Sequence, residues 1–419
     1  MGIVRLMNKR ILLCKPRMSG RELDYIRPAL AEDWAVPLGP DVTAFEKELG
    51  AVVGAGNVVA LNAGTSAVHL ALIACGVKPG DEVIVQSMTF CASANPVAYL
   101  GATPVFVDSE PESWNMDPEL LEEAIRERLR LTGRLPKAII PVALYGMPYR
   151  IDRILKVADS FGIPVIEDAA EGLCSRFAGK TLGTFGRFGV LSFNGNKMIT
   201  TSGGGALICP DEEAAHRVMW YATQARESYP YYQHEEIGYN YRLSNISACI
   251  GRAQLGVLPD YLEHHRHVQR LYAELLKDVE EIELHGNPWP EADSNFWLCT
   301  ALLSPELHVR GEEKAYGEVV SGAVGGAAGV THAASGATTD CQPNNNVEAL
   351  RLRLNEANIE SRPLWKPMHR QPVFRNSPAY VNGVSESLFA RGICLPAGPY
   401  VSDDDVRYIV ETLLKAIGN

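Results

Sequence analysis

"VVALNAGTSAVHLALIACG", residues 58–76, joins a short β-rich run to an amphipathic helical pattern through Gly64-Thr65-Ser66. A strand that feeds a helix through a glycine turn is the repeating unit of an α/β fold. Further β-rich runs follow: "EVIVQSMTF" (82–90), "TPVFVD" (103–108), "KAIIPVAL" (137–144), "PVIEDAA" (164–170), "GVLSFNG" (189–195) and "GGALIC" (204–209), with helix-like spacers between them. Their apolar, β-branched character predicts a seven-stranded, mostly parallel sheet buried on both faces. The crossovers are long enough for right-handed βαβ units.

Outward from this block, Asp117-Pro118 ahead of "ELLEEAIRERLRL" (119–131) predicts a helix with an aspartate cap and proline in its first turn. Residues 244–279 read as a linking helix broken or kinked at Pro259. The division is therefore expected there: an N-terminal arm and large domain over 1–258, and the linking helix with a smaller C-terminal α+β domain over 259–419. "NNVEALRLRLNEAN" (345–358) and "SDDDVRYIVETLLKAI" (402–417) supply helices for the latter, the second opened by a Ser and Asp cap cluster. The Gly- and Ala-rich stretch 317–340 lacks the Lys-Ser/Thr ending of a phosphate loop and reads as a surface insertion.

A chain of 419 residues exceeds what a single core usually holds. A net charge of −11 argues against nucleic acid as a partner. The nine cysteines are scattered, with no CxxC pair, which predicts cytosolic thiols and no zinc site. No run reaches the length of a membrane span, and the first residues carry no signal-peptide core, so a cytoplasmic location is expected. "HHRH" (264–267) reads as a solvated helix face rather than a metal site, and His69 as a core histidine with its bonds satisfied.

Chemistry enters with "LSFNGNKMITTSGGGALI" (191–208), which sets Lys197 between an apolar run and three glycines. Alone, such a lysine closes a strand or snorkels to solvent. In "PVIEDAAEGL" (164–173), however, Glu167 and Asp168 end a strand at the sheet's carboxyl edge, where open α/β sheets bind ligands. An amine can form a Schiff base with an aldehyde, and a buried carboxylate can keep a pyridine nitrogen protonated. Those are the two needs of pyridoxal phosphate. The start of the helix after Gly64 suits a phosphate, although Thr65 and Ser66 would serve equally as ordinary cap residues. Ser192 can add a hydroxyl, and Phe90, at a strand end, a ring face for stacking.

These stretches, with "PLGPDVTAFEKEL" (37–49), "GYNYRLSNISACIGRAQL" (238–255) and "ESRPLWKPMHRQPVF" (360–374), resemble the DegT/DnrJ/EryC1/StrS family of sugar aminotransferases. The resemblance implies an aspartate-aminotransferase-like fold, the type I fold of pyridoxal phosphate enzymes, and a homodimer with shared active sites. It implies that Lys197 is the Schiff-base lysine and general acid/base, that Asp168 partners the pyridine nitrogen and that Glu171 lies near the ring's 3-hydroxyl. Gly64, Thr65, Ser66 and Ser192 match the phosphate site, Phe90 the stacking ring, and Asn240 a residue that reaches the phosphate from the neighbouring subunit. The implied reaction moves an amino group from L-glutamate to a nucleotide-linked keto sugar. Similarity is greatest to enzymes acting on UDP-4-keto-6-deoxy-N-acetylhexosamines, with Trp365, Lys366 and His369, and further Arg150 and Tyr145, as candidate substrate contacts.

Amination at C3 instead of C4, another nucleotide-sugar reaction of the same family, and a non-catalytic regulator keeping the fold are the alternatives. A nicotinamide-dependent dehydrogenase would need GxGxxG after the first strand, which "ALNAGTSAV" does not supply. Lys197 itself favours transamination, because sugar dehydratases of the family carry histidine there. The chain departs from the pattern at Ala143, where His or Asp is common, and at Cys174, where glycine is usual.

Overall fold

The computed structural model describes residues 10–312 and 341–418. Its strands are β1 (Val58–Leu61), β2 (Glu82–Gln86), β3 (Thr103–Val107), β4 (Ile139–Ile140), β5 (Ile166–Asp168), β6 (Arg176–Phe177), β7 (Lys180–Thr181), β8 (Phe188–Ser192), β9 (Gly205–Ile208), β10 (Ile282–Leu284), β11 (Ala292–Asp293), β12 (Cys299–Leu303), β13 (Arg362–Pro363), β14 (Ala379–Tyr380) and β15 (Gly392–Leu395). Each of the seven β-rich runs contains one of them.

The first part is hydrogen-bonded as two four-stranded sheets, β1-β9-β8-β5 and β14-β3-β2-β4. Isolated parallel bridges, Ile139 to Val165 and Val142 to Asp168, join them between β4 and β5. Only β9 runs antiparallel to its neighbours in these two sheets. One strand of the set, β14, comes from the C-terminal part and lies parallel to β3.

Alternation along the strands explains why both faces are buried. Ile84, Val105, Ile139 and Leu191 belong to one core, while Val83, Val85, Phe106, Ile140 and Val190 belong to the other. The helix Gly64–Ala74 departs from the amphipathic reading, because Ser66 to Leu72 are buried without interruption. It lies between the sheet and the helices Asn95–Tyr99 and Glu212–Ala222, so no side of its middle turns meets water.

The expected Asp117 cap is present, its side chain accepting from the N–H groups of Glu119 and Leu120 ahead of the helix Pro118–Thr132. The linking segment is two helices, Asn245–Leu255 and Leu258–Leu276. The break falls at Gly256 and Val257, just before Pro259, because proline fits the first turn of a new helix and removes no bond there. A third core, around β12 and β15, gathers Val268, Leu303, Leu354, Ile393 and Val406 with Ile11 of the N-terminal arm. Its sheet runs β10-β12-β15-β13. The helix Asp403–Ile417 that covers it opens with a capping box between Ser402 and Asp405. The stretch 317–340 lies outside the described residues.

Candidate active site

Because β9 alone is reversed, the carboxyl ends of β1, β2, β4, β5 and β8 share an edge with the first residue of β9. The candidate residues fall on that edge: Gly64 after β1, Phe90 after β2, Tyr145 after β4, Asp168 ending β5, Ser192 ending β8, and Gly205 opening β9. Lys197 sits in the loop between β8 and β9, tied by its N–H to the Asn194 carbonyl at 2.9 Å.

Asp168 is buried. Its Oδ2 accepts from the Ser93 hydroxyl at 2.6 Å and its Oδ1 from the Ala170 N–H at 3.1 Å. Burial pushes its carboxyl up, against the opposing effect of these bonds and of Lys197. Glu171 accepts from Lys197 Nζ at 2.8 Å through Oε1 and from the Tyr145 N–H at 2.8 Å through Oε2. Burial likewise raises the Glu171 carboxyl, and the neighbouring ammonium opposes it. The Lys197 and Glu171 side chains are 13% and 2% exposed. In such a site, removing one partner strands the other charge and costs about 3–5 kcal/mol.

The Gly64 end is built differently. The helix Gly64–Ala74 follows Ala63 and receives no side-chain cap. Ser66 donates its hydroxyl to Asn62 Oδ1 at 2.7 Å. Thr65 is half-buried beside it. A Cβ on Gly64 would come 3.2 Å from Ser192 Cβ, and one on Gly205 would come 2.4 Å from the Gly64 nitrogen. The glycine at 205 is therefore what lets β9 and the helix start approach this closely. Asn240 is exposed, and its carbonyl accepts from Asn62 Nδ2 at 3.3 Å.

Phe90 is 56% exposed, which removes it from the core and leaves a ring available at the edge. Its centroid is 5.6 Å from that of Trp365, which lies 5.0 Å from that of Tyr145. The Tyr145 hydroxyl accepts from the Trp365 N–H at 2.8 Å. Tyr145 has φ +55°, and burial pushes its phenol up. Lys366 is half-buried on the same loop. Both nitrogens of His369 are engaged, Nδ1 with Ser87 Oγ at 2.7 Å and Nε2 with Glu386 Oε1 at 3.2 Å. Arg150 lies apart from this group, paired with Asp152 and stacked over Trp289.

Sequence reasoning missed three residues. Ser93 orients Asp168; its position in "MTFCASANPV" (88–97) was the available signal. Trp297 places its ring 4.2 Å from Lys197 Nζ. Asn295 donates to the carbonyls of Glu171 and Leu173 at 2.7 and 2.9 Å. Nothing local in "SNFW" (294–297) announces that Trp297 meets the lysine loop and Asn295 the loop that carries Glu171.

Other readings are corrected. His265 is fully buried and bonds the Phe296 carbonyl at 3.1 Å, so "HHRH" is a solvated face only in part, with His267 reaching Asp403 at 2.8 Å. His69 is buried, as expected, but only Nδ1 has a partner, Tyr241 at 3.3 Å, while Nε2 is unpaired among the described residues. Cys174 adopts φ +66°, the region glycine favours, which explains the residue usual there. Ala143 packs so closely that a Cβ on Gly172 would come within 2.9 Å of its methyl.

An uncapped helix start with adjacent hydroxyls, an accessible aromatic ring, a buried carboxylate and a partly buried amine fit a phosphorylated pyridine aldehyde. Among the described residues no cluster suits a metal, and no helix is long and apolar enough to cross a membrane.

The model of the DegT/DnrJ/EryC1/StrS aminotransferase family matches residues 16–320 and 319–414. EpsN of Bacillus subtilis (strain 168), which bears the name of a pyridoxal phosphate-dependent aminotransferase, is 44% identical over 97% of this chain and 96% of its own. GDP-perosamine synthase of Escherichia coli O157:H7 is 32% identical over 97% and 98%. The crystal structure of a DegT DnrJ EryC1 StrS aminotransferase from Brucella abortus superposes with a TM-score of 0.81 at 30% identity, covering 96% of each chain. Edge, side chains and relatives agree: the chain belongs to the DegT/DnrJ/EryC1/StrS aminotransferase family and is a pyridoxal phosphate-dependent sugar aminotransferase.

Proposed function

We propose that this enzyme takes the amino group of L-glutamate and delivers it to C4 of a UDP-linked 4-keto-6-deoxy-N-acetylglucosamine, in two half-reactions at one site. The observation that carries the reading is the Lys197 amine, 2.8 Å from the Glu171 carboxylate and within reach of the buried Asp168 charge. Bound pyridoxal phosphate supplies an aldehyde carbon that carries the amino group and a ring that accepts electrons.

The chain's own groups have separate tasks. Lys197 holds and returns a proton at Nζ, with Glu171 Oε1 as the nearest partner for it. Asp168, oriented by Ser93, keeps the pyridine nitrogen protonated. The N–H groups at Gly64, Thr65 and Ser66 and the Thr65 and Ser192 hydroxyls hold the phosphate. Phe90 stacks on the flat ring. Trp365 and Lys366 contact the nucleotide sugar, while His369, fixed between Ser87 and Glu386, positions their loop.

A homodimer in the cytoplasm completes the reading, with Asn240 serving the neighbouring subunit. Tyr231, Tyr232 and Ile237, all strongly exposed near Asn240, support a covered surface there, and nine free thiols suit a reducing compartment. Incubating the pyridoxamine phosphate form with UDP-4-keto-6-deoxy-N-acetylglucosamine tests the assignment. The expected result is return of the pyridoxal spectrum together with a sugar of amino-sugar mass. A loaded protein that leaves this sugar untouched refutes the acceptor.

A further inference from the structure

Two donors converge on one carbonyl next to the lysine. Asn196 O accepts from Trp297 Nε1 at 2.7 Å and from Cys14 Sγ at 3.1 Å. Neither donor belongs to the sheet that carries the lysine loop. Trp297 leads into β12, the strand at the heart of the C-terminal sheet. Cys14 lies on the N-terminal arm, whose backbone is bonded to Glu360 and Ala397.

The same tryptophan is tied to the other half of the ion pair. Its N–H donates to Asn295 Oδ1 at 2.9 Å, and Asn295 Nδ2 donates to the Glu171 carbonyl at 2.7 Å. Between them Phe296 is held at φ +48°, a strained conformation for a non-glycine residue. His265 fixes its carbonyl, and Gly146 leaves room for the Asn295 amide, since a Cβ there would lie 1.9 Å from Oδ1. Trp297 is nearly fully buried, and its ring faces the Lys197 ammonium at 4.2 Å.

We propose that Trp297 is a positioning residue for Lys197: its indole N–H fixes the peptide before the lysine, and its ring face keeps the amine on the Glu171 side of the pocket. This rests on reading Lys197 as the amine that bonds the cofactor's aldehyde carbon, whose oxygen leaves as water. Through Trp297 the C-terminal sheet sets the aim of a group carried by the large sheet.

The test uses full-length apoprotein, with Trp297→Leu, which removes ring and donor, and Trp297→Phe, which keeps the ring and the buried bulk. Pyridoxal phosphate is added, its reversible affinity is measured by equilibrium dialysis of its 4′-deoxy analogue, and attachment to Lys197 is timed by borohydride quenching and mass spectrometry. In Trp297→Leu, attachment slows about tenfold, the size of one lost hydrogen bond that orients the lysine's peptide, while analogue affinity stays within about twofold of the parent's. Trp297→Phe recovers part of the rate. Parent-like attachment in the leucine variant overturns the proposal, as does an equal loss of analogue affinity in both variants, which marks a merely structural role. No attachment at Lys197 in the parent overturns the lysine reading itself, a separate failure.

Discussion

The two ends of the site are built on opposite plans. At the lysine end the chain satisfies its own groups: Lys197 meets Glu171 and the Trp297 ring, and Asp168 meets Ser93. At the Gly64 end the helix start is left without a side-chain cap, and glycines keep the approach clear. One end is a preset machine, the other a set of backbone donors suited to an anion. The difference teaches that chemistry needs groups whose charge is fixed before the substrate arrives, whereas binding needs groups whose partner is the ligand.

Four changes would break or sharpen that contrast. Lys197→Ala should keep the fold and lose turnover by more than about a thousandfold, measured as kcat with the amino donor in excess; full activity would sink the mechanism. Asp168→Asn keeps an acceptor for Ser93 but removes the charge, and kcat should fall by roughly a hundredfold or more, with thermal stability retained. Gly205→Ala attacks the other end: its Cβ meets the Gly64 nitrogen, so the unfolding free energy should drop by about 1–3 kcal/mol and cofactor affinity with it, as read by denaturant titration and dialysis.

The last change touches turnover least, because it reaches the lysine end from behind. Burial lowers the pKa of His265 from 6.5 to about 4. A neutral, buried histidine stabilises the fold fully above the unfolded value, and that stability is lost as pH falls from about 6.5 to about 4. His265→Gln, which can still donate to Phe296 O, should flatten the pH dependence of unfolding by up to about 3 kcal/mol across that window. An unchanged slope would assign the acid sensitivity elsewhere.

Much of this was legible in the residues. The seven β-rich runs, the Asp117 cap, the glycine turn at Gly64 and the strand-ending Asp168 are local signals, and each local preference agrees with the final geometry. The amphipathic reading of the 64–74 helix failed because tertiary cover on every side is not written in an eleven-residue pattern. Trp297 and Asn295 escaped because they act across about a hundred residues of chain, through one indole N–H and one amide. The phosphate end is mostly local backbone and glycine, and so was readable; the lysine end is long-range side-chain contact, and so was read only in part.

The strand β14 carries one last consequence, for how the protein comes to be made. Ala379 and Tyr380 lie parallel to Phe106 and Val107, and the N–H groups of Phe106 and Asp108 bond the carbonyls of Pro378 and Tyr380. The outer edge of the large sheet thus stays open during synthesis until residues 378–380 leave the ribosome. An open edge of apolar residues is a template for wrong pairing. A nascent chain or a fragment ending near residue 258 would expose β3 to that hazard, and Pro378 to Tyr380 double as a seal against aggregation.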